Sequence, residues 1–166
     1  MAFSGGNISD RRLEEIRQPS DTPTSLMIKR FEDFKPQASF DFKQDTNGFG
    51  TIASFAGEEI DIEEAQTRLM ERVNSDEAYI KSFGERYNYD WDDNEIAALT
   101  SFVYNLGRGA LDQVTGRDDE DGVGSRTKEE IADAMLLYTR AGGNVLPGLV
   151  RRRQDEHDVF TGKMTL

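Results

Sequence analysis

Phe31 to Thr51, FEDFKPQASFDFKQDTNGFGT, brings two acids, a hydroxyl and a Gly-aromatic-Gly turn into one short stretch. Met27, Phe31 and Phe34 recur at i, i+4 and i+7, so Glu32 is expected near the end of a short amphipathic helix. Pro36, which lacks an N–H and clashes with the preceding turn, is expected to end that helix. Phe40 and Phe42 flank Asp41, an alternation that reads as a strand. Asp45-Thr46-Asn47-Gly48 has turn composition, because Asn-Gly tolerates positive φ. Gly48-Phe49-Gly50 then opens the second strand of a hairpin. The expectation is a glutamate at a helix end, with Asp41 and Thr46 returning toward it.

That arrangement resembles the phage-type lysozymes, the endolysin muramidases. Their motif is a Glu, eight residues, an Asp, about five residues, a Thr, then Ile-Gly-Tyr-Gly. Here Glu32 is followed by eight residues and Asp41, then by four residues, Thr46 and Asn47-Gly48-Phe49-Gly50. The Asp-to-Thr gap is one residue short. Asp33 stands where a Gly is usual, Ser39 where a Tyr is usual, and Thr51 replaces a common His. A second register pairs Asp45 with Thr51, but it stretches the Glu-to-Asp gap to twelve residues and loses the Gly-aromatic-Gly after the Thr. A second resemblance lies in AGGNVLPGLVRRRQDEHDVF, residues 141–160, which is similar to the C-terminal signature of the same family. Gly142-Gly143 are expected to terminate one helix and Pro147 to start another. Arg151 to Arg153 then fall in early turns, where the helix dipole prefers acids, so a nearby acid is expected to compensate. The resemblance covers roughly residues 25–160.

Composition bounds the alternatives. The chain has 166 residues, a length that suits one domain with one core. No apolar run approaches the ~20 residues of a membrane helix, so membrane insertion is not expected. The start, MAFSGGNISDRRLEEIR, has no apolar h-region, which argues against a Sec signal. The absence of cysteine removes disulfide and thiolate chemistry, and a single histidine makes a zinc site hard to build. Net charge is -12, concentrated in residues 58–95, where thirteen acids face four bases. Such a chain would be repelled by phosphate and is a poor nucleic-acid binder. Bacterial envelopes are anionic too, so the acidity favours delivery by a larger assembly or a saline setting.

Residues 1–24 read as an N-terminal extension, with a short helix over 9–17 whose Leu13 and Ile16 are too few for a core. It reads as a loosely packed tail or as a docking arm to a virion or carrier protein. Residues 25–166 form the domain. Asp61 with Glu64 makes a capping box, opening a helix to about residue 74 that would link the lobes. A second helical stretch, Asp76 to about Tyr87, presents its charges to solvent. Asp92 with Glu95 opens the most apolar helix, Ile96 to Leu106, which is expected to be buried. Residues 116–124, GRDDEDGVG, read as a solvated loop without calcium-loop spacing. Thr127 with Glu130 caps a helix carrying Ile131, Met135 and Tyr138, and His157 is expected on an exposed helix face.

The resemblance implies an α+β, lysozyme-like fold, mainly helical, with a small β-hairpin lobe and an inter-lobe cleft. It implies hydrolysis of the β-1,4 bond between N-acetylmuramic acid and N-acetylglucosamine in bacterial peptidoglycan, during phage lysis or virion-associated wall penetration. The protein would be made in the host cytoplasm and act on the wall from the periplasm or the virion. Glu32 would be the general acid, Asp41 the base or electrostatic partner, and Thr46 would position the attacking water, with inversion as the outcome. Phe49, Gly50, Tyr104 and Asn105 would border the sugar, and Arg152 would face Glu32, with a solvated basic turn as the plainer reading. No metal or cofactor is implied. The departures at Asp33, Ser39 and the short turn support an alternative, a non-catalytic peptidoglycan-binding or virion structural module of the same fold. A lytic transglycosylase, which uses a Glu without an Asp-Thr pair, is the other alternative.

Overall fold

The computed structural model describes residues 7–41, 43–117 and 125–166. The fold is α+β and mainly helical. Helices α1 (Asp10–Ile16) and α2 (Pro23–Phe31) precede a three-stranded antiparallel sheet, β1 (Lys35–Asp41), β2 (Gln44–Gly48) and β3 (Thr51–Ile52), in spatial order β1-β2-β3. Then come α3 (Ile62–Tyr87), α4 (Asp93–Leu106), α5 (Gly109–Val114), α6 (Lys128–Met135), a small hairpin of β4 (Arg140–Ala141) with β5 (Asn144–Val145), and α7 (Pro147–Phe160). The acidic stretch 118–121 and Phe42 lie outside the described residues.

Helix α3 decides the layout. The sequence suggests two helices broken at Ser75-Asp76, but one 26-residue helix runs through. At about 1.5 Å per residue it is ~39 Å long, enough to serve two cores. Ala65, Leu69 and Val73 pack at its beginning with Ile16, Ile28, Phe49, Ile60 and Tyr104. Ile80 and Phe83, further on, pack with α4, α5, α6 and α7. Asp76 looked like a helix start because short acids cap helices. It sits mid-helix, fully buried, and is satisfied by Arg72 at 2.8 Å and Arg108 at 3.1 Å. It therefore is not part of the solvated face expected for this stretch.

Local signals at the other helices were mostly sound. Asp92 with Glu95 and Thr127 with Glu130 form reciprocal capping boxes. Asp61 accepts from the Glu64 N–H, while the Glu64 side chain turns to Arg68 at 2.9 Å, so that box is half made. Residues 97–105 of α4 are all buried, as an apolar helix should be.

Four boundaries differ from expectation. Helix α2 ends at Phe31, with Glu32 as its C-cap, so Phe34 is not on the helix. Pro36 lies inside β1 instead of ending a helix, on the sheet's outer strand, where its carbonyl accepts from Ile60 N at 3.0 Å. Asp45-Thr46-Asn47-Gly48 is strand β2, not a turn: the chain reverses between Asp41 and Gln44, which are paired. Near the C terminus, Gly142-Gly143 do not terminate a helix. α6 ends at Met135, and the two glycines, at φ +57° and +82°, turn the β4–β5 hairpin. Two successive positive φ values match the twist of a two-residue hairpin loop.

The segment before residue 25 also packs differently from a loose tail. Leu13 and Ile16 are buried, and Ile16 joins the small core. Buried Lys29 of α2 donates to the Ile16 carbonyl at 2.9 Å and pairs with Asp21 at 2.7 Å. Ile16 suffices because α2, α3, Phe49, Ile60 and Tyr104 supply the rest of that core.

Candidate active site

Glu32 stands where α2 stops. Its N–H still donates to the Ile28 carbonyl at 2.9 Å, and its φ of −112° and ψ of 87° turn the chain out of the helix. Its side chain is 3% exposed. Arg152 of α7 donates through Nη1 to Glu32 Oε1 at 2.8 Å. Oε2 is buried without a hydrogen-bond partner. Burial pushes the Glu32 carboxyl above its ordinary value, and the opposing pull of Arg152 is not enough to reverse it.

The turn after β2 lies against that second oxygen. A Cβ on Gly50 would fall 2.8 Å from Glu32 Oε2, and the residue has φ +81°. Both facts call for glycine. Phe49 before it has no exposed surface. Its ring packs 5.8 Å from that of Phe34 and 4.6 Å from Lys29 Nζ. The expected position of the Phe49 ring at the border of the sugar is therefore corrected: the ring anchors the turn from inside. Tyr104 of α4 is buried as well, and its hydroxyl donates to the Phe49 carbonyl at 2.6 Å. Desolvation, then the field of Glu32, raises its phenol above the usual range and keeps the donor protonated. Tyr104 is thus a clamp on the Gly50 turn and not an exposed sugar contact. Asn105 is also buried, accepts from Arg153 Nη2 at 2.7 Å, and joins the cluster through that arginine.

The basic turn of α7 is solvated only at Arg151. Arg152 and Arg153 are both buried. Arg152 donates through Nε to Glu156 Oε1 at 3.1 Å and through Nη2 to the Ser101 carbonyl at 3.1 Å. Arg153 Nε lies 2.8 Å from Glu156 Oε2, and its Nη2 donates to Glu156 Oε1 at 3.2 Å. The Nε contact is a charge contact out of line for a hydrogen bond. Burial holds the Arg153 guanidinium down at about 10, against the pull of Glu156. Ser101 Oγ donates to Glu156 Oε1 at 2.7 Å. The acid expected to compensate these cations is therefore Glu156, one turn on, together with Glu32. Glu156 and Ser101 were missed in the sequence. The i, i+4 spacing of Arg152 and Glu156 was a signal for the first, and nothing local marked the second.

Asp41 and Thr46 come together through strand register. Asp41 pairs with Gln44, and Ser39 with Thr46. Paired residues share a face, as do residues two apart, so Asp41, Ser39 and Thr46 lie on one face of the sheet. Thr46 and Asp41 are both buried.

Asp33, where the motif has Gly, accepts from Arg12 Nε at 2.8 Å and from the Phe34 N–H at 2.8 Å. It ties α1 to the residue next to Glu32. On the far side of the turn, Asn47 Nδ2 donates to Glu58 Oε2 at 3.1 Å, and Arg68 of α3 grips both Glu58 oxygens at 2.9 Å each. Among the described residues there is no cluster of three or more His, Asp or Glu able to hold a metal ion, and no helix long and apolar enough to cross a membrane.

Residues 29–156 match the family model described as phage lysozyme. A curated endolysin of Bacillus phage B103 is 28% identical over 139 residues, covering 81% of this chain and 51% of its own length. The chain thus spans about half the length of that curated relative. Among solved structures, the muramidase domain of SpmX from Asticaccaulis excentricus is 27% identical, with a TM-score of 0.68, over 87% of this chain and 98% of that one. The endolysin from Escherichia coli O157:H7 phage FAHEc1 has a TM-score of 0.65 at 24% identity, over 90% and 98%. The fold is therefore lysozyme-like.

Proposed function

The chain belongs to the phage lysozyme family, and from that premise we propose that it is a muramidase acting on bacterial peptidoglycan. The bond cut is the β-1,4 link between N-acetylmuramic acid and N-acetylglucosamine. The observation that carries the reading is the asymmetry of Glu32: one oxygen is held by Arg152, and the other is buried, without a hydrogen bond, against Gly50. A carboxyl raised by burial keeps its proton to higher pH than an exposed one and can deliver it to the leaving oxygen. Asp41 acts as base from the hairpin, and Thr46, on the same face, helps to place the attacking water. Attack from the opposite side of the sugar gives inversion. Arg152 orients Glu32, while Gly50 keeps the space beside its free oxygen. Phe49, Tyr104 and Asn105 support this site from within and do not stack on sugar. No metal or cofactor enters the chemistry.

The setting is phage infection, with the protein made in the host and acting on the wall as an endolysin or from the virion. The acidity supports a delivered form, with a virion or carrier protein as further partner of the N-terminal residues. Co-sedimentation of the protein with purified virions tests that arm.

The reaction is tested by digesting purified peptidoglycan with the wild type and Glu32→Gln and reading the products by mass spectrometry. New reducing ends from the wild type alone are expected. Products with a 1,6-anhydro ring would point to a lytic transglycosylase. Binding of glycan with no product from either protein would leave a non-catalytic module.

A further inference from the structure

Glu156 is fully buried between two arginines of its own helix, and Ser101 of α4 donates to the same carboxylate. An ionised carboxylate this deep is costly unless paired, and the hydrolysis itself has no step that needs one there. Its contacts show what it does to Arg152. Each of the three guanidinium nitrogens is committed to a different acceptor: Nε to Glu156, Nη2 to the Ser101 carbonyl, Nη1 to Glu32. With Nη2 taken by the Ser101 carbonyl, Arg152 does not grip both oxygens of Glu32 as Arg68 grips those of Glu58. One oxygen of Glu32 is left for a proton.

We infer that Glu156 is a positioning residue for Glu32: it holds Arg152 by Nε and offsets the charge of Arg152 and Arg153, so that Glu32 can still take up a proton. This inference rests on the reading of Glu32 as the proton donor. With Glu32 ionised, the cluster of two arginines and two glutamates is neutral. Among the described residues, the charged and titratable groups acting on Glu32 are Arg152 and Arg153 from α7, Tyr104 from α4 and Lys35 at the start of β1, with Glu156 behind the two arginines. Removing the negative charge of Glu156 leaves two arginines acting on Glu32 alone, and nearby positive charge favours the ionised carboxylate. A general acid ionised too early fails at neutral pH and keeps working in acid.

The experiment is the pH profile of kcat/KM on purified peptidoglycan for the wild type, Glu156→Gln, Arg153→Gln and the double variant. Glutamine keeps the shape of Glu156 and an acceptor for Arg152 Nε. The alkaline limb of Glu156→Gln is expected to move to lower pH by about one unit or more, the usual effect of an unbalanced neighbouring charge. Arg153→Gln is expected to move it to higher pH, and the double variant to bring it back. A uniform loss at every pH, with the limb in place, would overturn the inference and leave a packing role. Where Glu156→Gln does not fold, an unmoved limb in Arg153→Gln overturns it equally. Failure of the underlying reading looks different: Glu32→Gln would then turn over like the wild type.

Discussion

Two glutamates of the small lobe, Glu32 and Glu58, are both buried and both bonded to an arginine, yet their carboxyls move in opposite directions. Glu58 is held well below the usual range, first by the hydrogen bonds from Arg68, then by the Ser54 N–H, with Asn47 adding to them. Both of its oxygens are gripped. Glu32 has one gripped oxygen and one bare one, and burial wins. An arginine beside a carboxylate therefore does not settle its ionisation. The number of donors that can reach it, set against the water it has lost, does. Glu58 fastens the hairpin to α3, and Glu32 is left with chemistry to do.

The largest effect is expected from Glu32→Gln, which should lower turnover on peptidoglycan by about 10²-fold or more, the usual weight of a general acid. Near-wild-type turnover would show that the bare oxygen does no work, and the contrast with Glu58 would lose its meaning. Gly50→Ala is expected to follow, with activity about tenfold lower or less, since small misplacements at a reacting group are costly. Its φ and the contact with Glu32 Oε2 both oppose a side chain. The strain of the left-handed backbone adds about 1–2 kcal/mol of lost stability, read by denaturant titration. If activity holds, the space beside Oε2 is not what the proton needs.

Tyr104→Phe removes the donor to the Phe49 carbonyl. Leaving that buried acceptor unpaired should cost about 1–3 kcal/mol, with turnover falling a few-fold as the Gly50 turn loosens. Glu58→Gln should touch activity least, and its alkaline limb should stay with the wild type. Its effect is on stability. A carboxyl whose folded value is depressed stabilises above its unfolded value, near 4.3, and that contribution is lost as pH falls toward the folded value. The midpoint difference between wild type and Glu58→Gln should therefore be full at neutral pH and shrink below about pH 4. Glu32 has the opposite sign: its ionisation in the folded state is penalised, so its cost appears as pH rises. A difference that grows in acid would reverse the reading of Glu58.

The fold was largely legible because its signals are local. The capping pairs at Asp92 and Thr127, the apolar α4 and Pro147 at the start of α7 each act within one turn of chain. The structure departs from the local signals where they meet a distant partner. Asp76 has the chemistry of a helix start, but Arg108, 32 residues on, makes it tolerable inside α3. Asp45 to Gly48 has the composition of a turn, but pairing on both sides with β1 and β3 makes it the central strand. Leu13 and Ile16 are too sparse for a core of their own, and Ile16 joins one supplied by α2, α3, Phe49, Ile60 and Tyr104.

Glu32, Asp41, Thr46 and Gly50 stand out in the sequence by residue type and spacing, and so does a basic turn after Pro147. The family and the α+β class follow from the resemblance of those residues to the family's motif, while spacing along helix and strand fixes which side chains share a face. Tertiary structure alone decided which oxygen of Glu32 Arg152 takes, and that Glu156 and Ser101 occupy the remaining nitrogens. It also decided that Phe49 and Tyr104 face inward. These depend on how α7 crosses α4 beside the end of α2, and on how much water that crossing excludes. Neither the crossing nor the excluded water is written in any short stretch of chain.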